Sequence, residues 1–224
     1  MKLEKIIIIL GPPGSGKGTQ SKLLVEKLHY GFFGMGDTLR QYAKKDTDLG
    51  REIKSYIERG IIIPDEASKQ VVLQSWQAHL DEPGLILEGY PRTSGQVEVL
   101  EEFMAQHRIT DVKVLSIEVT KDRLLKRLAM RKTCPHCQAS YKPGQPEYDS
   151  EICSVCGHQI AVRVDDADAE YVAKRFAEYE AKTAKTLEYF AARSQLVRIN
   201  GDQSDDPDES IRLVHEEIVR RLGL

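Results

Sequence analysis

Two groups of residues in this chain have types and spacings that can do chemistry. The first is Gly11-Pro12-Pro13-Gly14-Ser15-Gly16-Lys17-Gly18-Thr19. Glycines at this density allow backbone torsions and a close approach that side chains would block. Successive N–H groups ahead of a helix then form a cavity for an anion, and Lys17 can reach the outer phosphates of a polyphosphate. The second is Cys134-Pro135-His136-Cys137, followed after fifteen residues by Cys153-Ser154-Val155-Cys156. Two C-x-x-C pairs at that separation point to a tetrahedral four-thiolate site with no open position, so its metal holds shape and performs no reaction. Zinc is the expected ion, although iron also accepts four thiolates. His136 and His158 lie close by, but four cysteines already complete the shell.

These groups need elements to position them. Ile6-Ile7-Ile8-Ile9-Leu10 precedes the glycine loop and reads as a strand buried on both faces. Ser21–Leu28 behind it has apolar residues at helical spacing. The order strand, glycine loop, helix is the context a phosphate-binding loop needs. Further strands are expected near 31–34, 84–88, 112–118 and 196–199, with helical patterns between them. That alternation predicts an α/β fold with a parallel sheet and helices on both faces. Stretches 35–64 and 132–166 do not fit as simple crossovers and read as insertions. Ligands in such folds bind at the carboxyl ends of the strands, so both insertions are placed to cover the loop. The segment Lys142-Pro143-Gly144-Gln145-Pro146 is too turn-rich to build a core of its own, which leaves its order to the metal.

Arginines are the third ingredient. Asp37 reads as the N-cap of a helix with Arg40 one turn in; on spacing alone an exposed, solubilising arginine is the stronger reading. Glu88 and Arg92 flank a Gly/Pro turn after an apolar strand, where charge is expensive to bury without a ligand, a partner or a mutual salt bridge. Thr120 reads as the cap of a helix over 121–131 whose apolar face is Leu124, Leu125 and Leu128. Arg123, Arg127 and Arg131 recur at i, i+4, i+8 on another face, and like charges at that spacing suggest a nearby anion. Phe176, Tyr179, Thr183, Leu187 and Phe190 read as a core stripe. Asp202–Glu209 reads as an acidic surface loop.

Composition bounds the answer. At 224 residues, 41% hydrophobic and 30% charged, the chain fits one α/β domain with insertions. With 32 Lys and Arg against 35 Asp and Glu, the net charge is -3, so there is no general attraction to nucleic acid or anionic membrane. The knuckle region 132–160 carries Glu147, Asp149 and Glu151 and few basic residues, poor material for nucleic-acid binding. The N-terminal run of five apolar residues is too short for a signal peptide or membrane span, so the expected setting is cytoplasmic and reducing, against disulfides. No membrane or nucleic-acid partner is expected.

The loop GPPGSGKGTQ, with Gly18 where a general phosphate loop has Ser or Thr and the hydroxyl one later at Thr19, closely resembles that of adenylate kinases and related nucleoside monophosphate kinases. The resemblance runs from Ile6 to about Gln203. It implies a P-loop five-stranded parallel sheet flanked by helices. The core would be 1–34, 65–131 and 167–224, with a helical NMP-binding insertion at 35–64 and a zinc-knuckle lid at 132–166. It implies a monomeric, Mg²⁺-dependent enzyme interconverting ATP and AMP with two ADP. On the ATP side it marks Gly14, Ser15, Gly16, Lys17, Gly18, Thr19, Arg127, Arg131, Ser140, Tyr141 and Gln203. On the AMP side it marks Met35, Arg40, Ile61, Ile62, Ile63, Gly89, Tyr90, Pro91, Arg92, Gln96, Arg163 and Arg175. Lys17, Arg92, Arg131, Arg163 and Arg175 are implied at the transfer point, with Asp165 and Asp166 as an acidic hinge pair and Glu88 beside the magnesium. Met35 replaces the family's Thr, which leaves the acceptor base open; Glu88 replaces its Asp, a longer carboxylate that the magnesium site is expected to tolerate. A kinase for another monophosphate is the alternative within the class. A P-loop ATPase with a nucleic-acid-binding zinc ribbon is the alternative outside it.

Overall fold

Strand β1, Lys5–Leu10, runs through the middle of the molecule, and its Ile6, Ile7, Ile8, Ile9 and Leu10 are each at most 1% exposed. In the computed structural model, which describes residues 2–224, β-branched residues in an uninterrupted run form a strand covered on both faces. Chain order gives the other elements. They are α1 Lys17–Leu28, β2 Gly31–Gly34, α2 Met35–Tyr42, α3 Asp48–Glu58, α4 Asp65–Gln77, β3 Gly84–Glu88, α5 Ser94–His107, β4 Asp111–Glu118 and α6 Lys121–Ala129. Short strands β5 Lys132–Thr133, β6 Ser140–Tyr141 and β7 Ala161–Val162 follow, with α7 Pro146–Ser150 among them. Then come α8 Val164–Ala167, α9 Ala169–Glu178, a π-helical turn Tyr179–Thr183, α10 Ala184–Ala192, β8 Leu196–Asn200 and α11 Pro207–Leu222.

The large sheet is parallel, in the order β2-β3-β1-β4-β8. Alternation along β1 divides the core in two. Ile6, Ile8 and Leu10 face a cluster with Trp76, Phe103, Leu187 and Phe190, from α4, α5 and α10. Ile7 and Ile9 face Leu24, Val214 and Ile218, from α1 and α11. The expected five-stranded α/β architecture is present, and each expected strand lies within a residue of its observed span. Among the described residues, no helix is long and apolar enough to cross a membrane.

Four local expectations are corrected. Gly34, not Asp37, caps α2, because the chain turns straight from β2 into the helix; Asp37 lies in the first turn and pairs with Arg40. Thr120 holds the cap position of α6 without a side-chain bond, and its N–H instead donates to Asp202 at 2.7 Å. That helix ends at Ala129, so Arg131 leaves the face of Arg123 and Arg127 and enters the turn to β5. The acidic loop is shorter than expected: the Asp206 carboxylate accepts from the Glu209 N–H at 2.7 Å and starts α11 at Pro207.

Residues 132–162 form a separate antiparallel sheet, β6-β5-β7, with its own small cluster of Cys134, Ala139, Tyr141, Cys153 and Ile160. The stripe from Phe176 to Phe190 divides. Phe176 packs with Leu124, Leu128 and Val172, while Leu187 and Phe190 join the main core. Between them Tyr179 is only half-buried and faces a cavity.

Candidate active site

At the carboxyl end of β1 the backbone turns through Gly14 and Gly16 at φ 82° and 94°. A Cβ at Gly14 would also lie 3.1 Å from the Leu124 carbonyl oxygen, so both torsion and space require glycine there. Gly16 caps α1 without a side chain, and the first turn of α1 holds no acidic residue. The N–H groups of that turn are thus left for an anion. Lys17 is buried, and its Nζ donates to the Pro12 carbonyl at 2.9 Å. Burial, reinforced by Arg92, Arg175 and Arg131 and opposed by Glu88, pulls the Lys17 amine down to about 7.

The loop opens into a cavity of about 730 Å³ between the sheet, the α2 region and the 132–162 sheet. Arg40, Arg92, Arg131, Arg163 and Arg175 all line it. Arg92 is anchored from behind the wall: its Nε donates to the Gly89 carbonyl at 2.7 Å, and its backbone N–H donates to the Gln96 Oε1 at 2.8 Å. Among the described residues Glu88 forms no ion pair with Arg92, so the mutual salt bridge that the sequence left open is not made. Asp166, whose side chain is 0% exposed, ties two of the other arginines. Its Oδ2 accepts from Arg131 Nε at 2.7 Å and its Oδ1 from Arg175 Nη1 at 3.0 Å. Asp165 holds Arg163 at 2.7 Å. Burial lowers the pKa of Arg40, Arg92 and Arg131, a measure of how much water each gives up. Cations gathered this densely repel one another, and a polyphosphate is the ligand that relieves them.

A sequence model of the adenylate kinase family matches residues 9–195. The chain belongs to that family. It is 36% identical over 219 residues to an adenylate kinase of Thermoanaerobacter sp. (strain X514), covering 97% of each chain. An adenylate kinase of Alkaliphilus oremlandii (strain OhILAs) is 36% identical over 218 residues, covering 97% of this chain and 98% of the relative. One of Dehalococcoides mccartyi (strain ATCC BAA-2100 / JCM 16839 / KCTC 5957 / BAV1) is 37% identical over 195 residues, covering 87% and 90%.

Most residues marked by the resemblance to adenylate kinases meet in this one cavity. Gly14, Ser15, Gly16, Lys17, Gly18, Thr19, Arg127, Arg131, Ser140 and Tyr141 line one end. Met35, Arg40, Ile61, Ile62, Ile63, Arg92, Gln96, Arg163 and Arg175 line the remainder. Four marked residues do not line it. Gly89, Tyr90 and Pro91 sit behind it: the Gly89 carbonyl holds Arg92, and Tyr90 is buried against Trp76 with ring centres 5.3 Å apart. Gln203 is turned away, its Nε2 donating to Asn200 O at 3.0 Å and to Glu217 at 2.6 Å. Arg123 is also diverted, pairing with Asp202 at 3.2 Å and with Asp205. Arg127 instead donates to the Gly201 carbonyl at 2.9 Å.

Tyr171 and Gln138 also line the cavity, though neither belongs to a motif or a periodic pattern. Tyr171 reaches across to the Ile57 carbonyl and packs where a Gly60 side chain would lie. Gln138 bonds Arg40 from the first cysteine knuckle. Both depend on contacts between segments about a hundred residues apart.

Cys134, Cys137, Cys153 and Cys156 converge as free thiols, their sulfurs mutually within 4.8 Å. Neighbouring Sγ atoms lie 3.4 to 3.6 Å apart. A tetrahedron with Zn–S bonds of ~2.3 Å has edges of about 3.8 Å, so the donor set fits a four-thiolate ion with slight expansion. Against burial, which pushes it up, hydrogen bonds led by the Tyr141 hydroxyl bring the Cys153 thiol down to about 6. That hydroxyl donates to Cys153 Sγ at 3.1 Å, the outer-shell contact that orients a metal ligand.

Proposed function

We infer that the chain performs the reaction of its family, the reversible transfer of a phosphoryl group from ATP to AMP giving two ADP. The convergence of five arginines with the glycine loop and Lys17 in one cavity carries this reading. Phosphoryl transfer needs little covalent help. It needs in-line alignment and neutralisation of charge spreading over the moving group. Lys17 and the loop amides hold the donor phosphates, and Arg40 and Arg92 hold the acceptor phosphate. Arg131, Arg163 and Arg175 surround the transfer point. The AMP phosphate is already ionised near neutral pH, so no general base is required. The Thr19 hydroxyl and the Glu88 carboxylate both line the cavity beside the loop and fit an Mg²⁺ that arrives with ATP, where it neutralises phosphate charge.

In this reading 35–64 is the NMP-binding insertion and 132–166 the lid, closing to keep water from the phosphoryl group. The four thiolates hold zinc. Four unpaired thiols favour a reducing, cytoplasmic setting, and the chain acts as a monomer. A coupled assay at fixed ATP and Mg²⁺ tests the acceptor: ADP is expected with AMP and little with CMP, UMP or GMP. Another acceptor is favoured by one observation, the thioether of Met35 on the cavity wall, which offers no hydrogen-bond donor to a base. A higher kcat/KM with another monophosphate would replace AMP.

Lys17 gives the site a pH signature. With its amine at about 7 when the cavity is empty, it is largely neutral at pH 8. Bound phosphates favour the charged form, so the complex holds more protons than the free enzyme. Binding a non-hydrolysable ATP analogue at pH 8 is expected to take up close to one proton, and affinity is expected to fall as pH rises above 7. Titration calorimetry in two buffers of different ionisation enthalpy measures the uptake; none at all contradicts it.

A further inference from the structure

The first cysteine knuckle does more than close over the cavity: it reaches the acceptor side. Gln138, directly after Cys137, stands at φ 63°, and its backbone N–H donates to the Cys134 carbonyl at 2.9 Å. Its Nε2 donates to the Pro135 carbonyl at 3.0 Å, so both ends of the residue are tied to the knuckle turn. The remaining polar atom, Oε1, accepts from Arg40 Nε at 2.7 Å. On the far side, Asp37 pairs with the Arg40 Nη2. Lys44, also beyond α2, donates from Nζ to the same Pro135 carbonyl at 3.0 Å. Among the described residues, Arg40 Nη1 has no protein partner, and the guanidinium lines the cavity.

We propose that Gln138 is a positioning residue for the acceptor phosphate, through which the metal knuckle sets the orientation of Arg40. The inference rests on the assignment of Arg40 to that phosphate. The choice of an amide has a physical reason. A guanidinium on a flexible stem points in many directions, and fixing it before the ligand arrives removes part of the ordering cost of binding. A second carboxylate would fix it too but would cancel the charge that the phosphate needs. A neutral carbonyl oxygen orients the Nε–H and leaves the charge available. Because Gln138 belongs to a turn shaped by Cys134 and Cys137, its carbonyl meets Arg40 only with the knuckle formed and closed. Closure then tightens the acceptor clamp as well as covering the donor.

The test separates this from simple packing by comparing the two substrates. Gln138→Met keeps the length of the side chain and its backbone demands but removes the acceptor atom. In steady-state assays it is expected to raise KM for AMP about tenfold, the scale of one hydrogen bond to a charged group, with KM for ATP within twofold of wild type. Arg40→Met alone is expected to raise KM for AMP further, and adding Gln138→Met to it should change KM for AMP no more. An unchanged KM for AMP in Gln138→Met overturns the inference. So does an equal rise for both nucleotides, or an additive effect in the double variant. If Arg40→Met leaves KM for AMP untouched, the assignment of Arg40 itself fails, and the inference with it.

Discussion

Replacing Lys17 with Met is expected to lower kcat by ~10²–10³-fold, the loss seen when one preorganised charge-stabilising donor is removed. Lys17 starts α1 directly after the glycine loop, and its ammonium is held inside the cavity wall against the Pro12 carbonyl. Among the described residues, the other lysines lining the cavity are Lys22 on α1 and Lys142 beyond β6. The five arginines enter the cavity from other elements: Arg40 from α2, Arg92 from the turn after β3, Arg131 and Arg163 from either side of the 132–162 sheet, and Arg175 from α9. The same substitution has an opposite effect on stability. The folded-state amine lies at about 7 against an ordinary 10.5, because burial penalises its charge. Between those values the unfolded chain binds more protons than the folded one, so stability contributed by this group rises with pH. At neutral pH the unliganded enzyme therefore carries a desolvation penalty that Met removes. The expected result is a variant with higher Tm at pH 7 and a shallower rise of Tm toward pH 10. A loss of kcat smaller than tenfold would show that Lys17 is not at the developing charge.

Removal of the metal is expected to unfold residues 132–162 before the rest of the chain and to lower kcat, because the segment then no longer keeps water from the phosphoryl group. The apolar cluster there is small. Apart from the cysteines it has Ala139, Tyr141, Ile160 and the flanking Tyr148, and its strands are two residues long. Ile152, Val155 and Val162 face solvent and contribute little. Such a cluster is far below what a free-standing domain needs. A structural zinc ion supplies ~10–16 kcal/mol in small zinc peptides, which is ample to order it. Chelation of the wild type, and Cys153→Ser as a second route, should expose this segment to limited proteolysis while the five-stranded sheet stays protected. If chelated protein releases its metal yet keeps the segment protected and the turnover unchanged, the four thiolates do not hold the lid together.

Much of this was legible along the chain because it depends on local chemistry. A short run of isoleucines, four of five residues β-branched, reads as a strand buried on both faces. The glycine loop reads as a phosphate cradle because torsion and approach are properties of the residues themselves. Two C-x-x-C pairs announce four thiolates because each turn brings its own two sulfurs together. Arg92 stands out by the cost of burying charge at a strand exit and Arg131 by helical spacing, whereas Arg40, Arg163 and Arg175 are marked only by the resemblance; spacing alone leaves Arg40 on the surface. All five line the cavity.

What the chain order could not decide is which partner each polar side chain chooses across the fold. Arg123 and Arg131 lie about 80° apart on a helical wheel, on one broad face. One is bound to Asp202 and Asp205 and the other to Asp166, because α6 stops at Ala129 and turns the second into the cavity. Gln203 has the family's place in the sequence but bonds Glu217 on α11. Gly89, Tyr90 and Pro91 support Arg92 from behind, since the aromatic cluster around Trp76 draws Tyr90 inward. Gln138 carries no motif, and its role arises when the knuckle meets α2, 98 positions away from it at Arg40. The sequence by itself determined the strands, the anion-binding turn and the thiolate pairs, whose causes lie within a few residues. Only the tertiary structure decided the hydrogen-bond partners of the cations, because each is set by which distant donor or acceptor packing leaves within about 3 Å.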